Sequence, residues 1–80
     1  GGPPVLDILK ELSERIPKTI WLKRFTFSEK GIQLEGYATS ASELIRLLDA
    51  SPMFGDVKFL SAINKDRTGK EKFRIGMNLK

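Results

Sequence analysis

Apolar residues return every three to four positions at the start of the chain, at Val5, Leu9, Leu12 and Ile16, which is the spacing of one helix face. Pro4 suits a first helical turn, where its missing N–H has no intrahelical partner, and Pro17 stops the run. A first helix is therefore predicted over residues 4–16, flanked by Leu6 and Ile8, with Asp7, Lys10, Glu11 and Glu14 facing away. From Ile20 the period falls to two. Ile20 and Leu22 share one phase and Phe25 and Phe27 the other. One extra residue in a β-bulge near Lys23 and Arg24 restores a common face, and without it the two pairs lie on opposite faces.

Ser28 to Gly31 has the length and glycine of a hairpin loop, after which Ile32, Leu34, Gly36 and Ala38 alternate with Gln33, Glu35 and Tyr37. That is a half-buried second strand. Ser40, three residues before Glu43, is a capping box opening a second helix, whose stripe is Leu44, Ile45, Leu47 and Leu48 and whose end is Ser51-Pro52. Met53 to Gly55 reads as a loop. A third strand follows, with Val57, Phe59, Ser61 and Ile63 alternating with Lys58, Leu60, Ala62 and Asn64. After a polar turn from Asn64 to Glu71, Phe73, Ile75, Met77 and Leu79 alternate with Lys72, Arg74, Gly76 and Asn78 as the fourth strand.

The order αββαββ allows one compact arrangement, two helices on one face of a four-stranded antiparallel sheet. A right-handed crossover through the second helix gives sheet order 1-2-4-3. The predicted fold class is α+β, a circularly permuted ferredoxin-like sandwich over residues 4–80. Gly1 to Pro3 reads as a linker or cloning remnant.

Composition narrows the chemistry. Eighty residues, 40% of them apolar and 30% charged, form one ordinary globular domain that hides only about 60% of its unfolded surface, so a deep dry cleft is hard to build. The chain has no cysteine and no histidine. Thiol nucleophiles, thiolate metal ligands, disulfides and the side chain that titrates near neutrality are all excluded. The glycines are scattered and form no phosphate-binding loop. Glu11 and Glu14 sit on a wet helix surface, whereas paired carboxylates need desolvation to act as acid and base, and Asp66, Thr68 and Lys70 fall in an open turn. No enzymatic activity, cofactor, metal or small-molecule substrate is expected. No apolar run approaches the ~20 residues of a membrane span, so this stretch reads as soluble.

The net charge is +4, and residues 58–80 hold Lys58, Lys65, Arg67, Lys70, Lys72, Arg74 and Lys80 against Asp66 and Glu71. The bases alternate with apolar residues, as on a solvated hairpin. RNA binding is the rival function, because an RRM is also a four-stranded ferredoxin-like sheet. On the expected central strands only Tyr37 can stack on a base, and Glu35 beside it repels phosphate; a regulatory ferredoxin-like module belongs to the same alternative.

Trp21 admits two readings: alternation from Ile20 and Leu22 places it on the open sheet face, while the bulge can rotate it into the core. The first and third strands are the sheet edges, and exposed edges either pair or are blunted by charge and bulges. The third carries Lys58 as its main early guard, then Leu60, Ala62 and Ile63, and is the preferred pairing edge. Trp21, Tyr37, Lys58, Leu60 and Ala62 are accordingly the candidate partner-interface residues.

Four phrases fall in a characteristic order: Ile20-Trp21-Leu22, Leu34-Glu35-Gly36-Tyr37-Ala38, Leu48-Asp49-Ala50-Ser51-Pro52-Met53-Phe54-Gly55-Asp56-Val57, and Phe73-Arg74-Ile75. They resemble the C-terminal domain of the PilN fimbrial-assembly family and its relative GspL of type II secretion, over roughly residues 5–80, most specifically in Ser51-Pro52-x-Phe54. The resemblance implies a non-enzymatic periplasmic scaffold domain of a bacterial inner-membrane assembly platform, serving type IV pilus biogenesis or type II secretion. It also implies a homodimer or a similarly folded partner of the PilO/GspM type, with membrane attachment only through a segment this chain lacks. No catalytic residue comes with it.

Overall fold

The computed structural model describes residues 4–80, so the linker expected at residues 1–3 lies outside the described residues. Element α1 spans Pro4–Arg15, β1 Trp21–Ser28, β2 Gly31–Ala38, α2 Ala41–Asp49, β3 Phe54–Phe59, β4 Asn64–Lys65 and β5 Glu71–Leu79. The strands form one antiparallel sheet in the order β1-β2-β5-β3, with β4 paired to β5. The expected four-stranded sheet is thus corrected to five.

The extra strand arises from a break. After Leu60, whose N–H still bonds the Arg74 carbonyl, the chain leaves β5, then returns for the pairs Asn64 with Lys72 and Lys65 with Glu71. The expected third strand, Val57 to Ile63, is therefore cut short, and Leu60 and Ala62 lie beyond its end. It also starts earlier than the expected Met53–Gly55 loop allows. Phe54 is a strand residue with its ring fully buried, and burying an aromatic ring stabilises by roughly 1.5–3 kcal/mol.

The bulge expected in the first strand is present. Leu22 faces Gly36 and Arg24 faces Glu35, leaving Lys23 unpaired. Leu22, Phe25 and Phe27 consequently oppose Gly36, Leu34 and Ile32 and share the core-side face. A second register shift, between Gly55 and Lys58, bends the opposite edge, with Asp56 at φ 52 inside it. Both edges thereby carry the irregularity that discourages indiscriminate strand pairing.

Ile8 and Leu12 of α1, Ala41, Leu44 and Leu48 of α2, Ile32, Leu34 and Ala38 of β2, and Phe73, Ile75 and Met77 of β5 form one buried cluster with Phe54. Both helices thus lie against the same sheet face. On α1 the buried pair is Ile8 and Leu12, whereas Leu9 is 44% exposed. The expected stripe through Leu9 is corrected by one residue; Val5, Ile8, Leu12 and Ile16 fit helical spacing as well, and that face meets α2.

The second helix begins with half of its expected capping box. Ser40 Oγ accepts from the Glu43 N–H at 3.2 Å, but the Glu43 carboxylate turns to Arg46, at 2.6 Å. Glu71 takes a share of the capping, accepting the Ala41 N–H at 2.7 Å and tying the helix start to β5. A free helix-terminal N–H is satisfied by a distant strand residue.

Helix α1 is tied down by a polar link. The buried Ser51 donates its hydroxyl hydrogen to Glu11, accepts from the Met53 N–H at 3.1 Å, and Glu11 also pairs with Arg15 at 2.7 Å. The Ser51 hydrogen bond foremost, and then Arg15, hold the Glu11 carboxyl below its ordinary range. A carboxyl lowered on folding contributes stability above its unfolded pKa and loses it as pH falls through the folded value. Ser51→Ala is expected to cost about 1–3 kcal/mol at neutral pH. The gap to the parent should narrow in acid, as read from urea unfolding across a pH series.

Candidate partner-docking surface

Residues directly opposite one another on neighbouring strands project to one side of a sheet, so the register lays out the face the helices leave open. Trp21 pairs with Tyr37, Tyr37 with Lys72, and Lys72 with Asn64. The next row runs Arg24, Glu35, Arg74, and a third runs Thr26, Gln33, Gly76, Lys58.

The bulge decides where Trp21 points. With Leu22 held to the core side opposite Gly36, its neighbour must face outward, and Trp21 is 64% exposed. The core reading of Trp21 is overturned, and the open-face reading stands as its location. A groove of about 640 Å³ runs beside it, lined by Trp21, Leu22, Lys23, Tyr37 and the turn residues Asp66, Thr68 and Lys70.

That turn is built around one carboxylate. Asp66 accepts from the Thr68 hydroxyl at 2.7 Å, the Thr68 N–H at 2.8 Å and the Lys70 N–H at 3.0 Å. The Thr68 hydroxyl foremost, helped by the two amides, holds the Asp66 carboxyl below its ordinary range. The Asp66 N–H also donates to the Lys70 carbonyl at 2.8 Å. A turn closed this way presents Lys70 across the sheet end, with its ammonium 3.8 Å from the centre of the Trp21 ring. Such a cation over an indole is attracted by about 0.5–1 kcal/mol at an exposed site.

The middle row is electrostatically closed. Glu35 stands between Arg74 at 2.9 Å and Arg24 at 3.6 Å, and a phosphate backbone would have to compete with it for both guanidiniums. Lys58 and Leu60 occupy the other side of the face. Lys58 bonds Asp56 at 3.0 Å. Leu60 donates its N–H to the Arg74 carbonyl and folds over Gly76, where an added Cβ would stand 2.8 Å from Leu60 Cδ2. Ala62 is exposed in the connection before β4.

The five candidate interface residues therefore fall into two patches: Trp21 with Tyr37 near β1, and Lys58, Leu60 and Ala62 along the β3 edge. Lys70 belongs with the first patch and was not among them. Its sequence signal was Asp66-x-Thr68-Gly69, an Asx-turn pattern, but nothing local ties that turn to Trp21. Among the described residues no three carboxylates, histidines or cysteines come together as a metal-binding group.

The family model described as fimbrial assembly protein (PilN) matches residues 7–79. The chain is also 31% identical over 64 residues to the type II secretion system protein L of Xanthomonas campestris pv. campestris, covering 80% of the chain and 17% of that relative. It thus spans about a sixth of the curated relative's length. No solved structure matches the chain.

Proposed function

The chain belongs to the PilN family of fimbrial assembly proteins, and from that premise we propose that it is a non-catalytic scaffold domain of an inner-membrane platform for type IV pilus biogenesis or type II secretion. It holds a second domain of similar fold, either another copy or a PilO/GspM-type partner, on the periplasmic side. Its fold is the circularly permuted ferredoxin-like sandwich, a reading supported by the order β1-β2-β5-β3 beneath two helices.

The observation that carries this reading is an exposed indole at 64% accessibility beside Tyr37, on a sheet face without helices, in a chain of this family. Tryptophan and tyrosine are enriched among the residues that dominate binding energy at protein interfaces. Leu60 and Ala62 extend the surface to the β3 edge. Among the described residues no helix is long and apolar enough to cross a membrane.

Equilibrium sedimentation of the purified chain, alone and with its cognate PilO/GspM-type domain, tests the proposal. A dimer or a one-to-one complex is expected. A chain that stays monomeric at high concentration and ignores the partner domain would remove the scaffold reading.

A further inference from the structure

The groove beside Trp21 differs from the rest of the open face in its charge. Lys18, Lys23, Lys70 and Lys72 surround the Trp21–Tyr37 patch, and among the described residues none of them forms an ion pair. The acid lining the groove, Asp66, is spent on three hydrogen bonds inside its own turn. In the row below, by contrast, Arg24 and Arg74 are matched by Glu35. The sheet thus presents an apolar floor under ammonium groups that form no ion pair, although the charge of Lys70 helps to lower the Asp66 carboxyl.

Resting on the proposal that this face docks a protein, we infer that the groove receives an acidic peptide segment bearing an apolar side chain. The apolar side chain packs between Trp21 and Tyr37, and flanking carboxylates meet Lys23, Lys70 and Lys72. Lys70 is the pivot. The residue is half-buried and its ammonium covers the indole, so an incoming carboxylate converts a cation–π contact into an ion pair without moving the Asp66 turn. Complementary charge of this kind sets partner choice and association rate more than raw affinity. The segment's acidity therefore selects the partner.

Trp21 is the chain's single tryptophan and reports occupancy directly. The probes are a blocked hexapeptide of two leucines flanked on each side by two glutamates, its counterpart with lysines for glutamates, and phosphatidylglycerol vesicles. The glutamate peptide is expected to shift Trp21 emission saturably at low salt, the lysine peptide to leave it unchanged, and added salt to weaken the response. A triple Lys23→Gln, Lys70→Gln, Lys72→Gln variant, shown by circular dichroism to be folded, should bind the acidic peptide about tenfold more weakly. Equal response to both peptides, no response at millimolar peptide, or a response to vesicles alone would overturn the inference. If the peptide fails while the cognate domain still binds this face, the acidic-segment inference falls and the docking reading stands; if the cognate domain also fails to bind, the docking reading falls as well.

Discussion

Replacing Gly36 with alanine is expected to destabilise the chain by at least about 3 kcal/mol. A Cβ at position 36 would stand 1.9 Å from the Trp21 carbonyl oxygen and 3.1 Å from Leu22 Cα. Both obstacles are backbone, so no side-chain rotation relieves them. The strands approach this closely because the bulge at Lys23 sits beside Gly36 on the partner strand. An alanine must push β1 away from β2 at that point, releasing the register that keeps Leu22, Phe25 and Phe27 on the core side. The urea midpoint should fall sharply, and Trp21 emission should change in whatever folded population survives. An unchanged midpoint would mean that β1 does not lie against Gly36 as described.

The bulge was legible because the apolar phase changes between Leu22 and Phe25, and only an inserted residue lets both pairs face the helices. Long alternating strands were legible for the same reason, as in β2 and β5, where one wet and one buried face leave a single register. Where two patterns fit equally well, sequence alone could not choose. Val5, Leu9, Leu12, Ile16 and Val5, Ile8, Leu12, Ile16 are both helical stripes, and contact with α2 selects the second. The third strand misled because Ser61 and Ile63 continue an alternation that the backbone does not follow between Leu60 and Asn64.

The candidate site was half legible. Tyr37 follows from strand phase, whereas Trp21 admits both open face and core until the register sets Leu22 opposite Gly36 and makes Trp21 and Tyr37 neighbours. Lys70 over the indole does not follow, because it depends on a turn 49 residues away in sequence folding across the sheet end. The same holds for Glu71, whose carboxylate caps α2 from across the core boundary, a distance no local pattern records. Glu43 shows the converse: a correct local signal was diverted by a competing partner, Arg46, one turn further along the helix.

Trp21→Ala is expected to weaken binding to the cognate domain by about 2 kcal/mol or more, roughly thirtyfold in Kd. The chain's own stability should change little. The indole lies outside the core, it is 64% exposed, and its ordered contact is the Lys70 ammonium rather than a buried neighbour. A core tryptophan would behave oppositely, costing about 3–5 kcal/mol of folding stability on truncation. Scaffold docking on the open sheet face is therefore tested most directly by calorimetric titration of the cognate domain into the parent and Trp21→Ala chains, each with its thermal midpoint recorded. The expected result is a lost or strongly weakened isotherm at an unchanged midpoint. An unchanged isotherm, or a collapse of the midpoint that accounts for the lost binding, would contradict it.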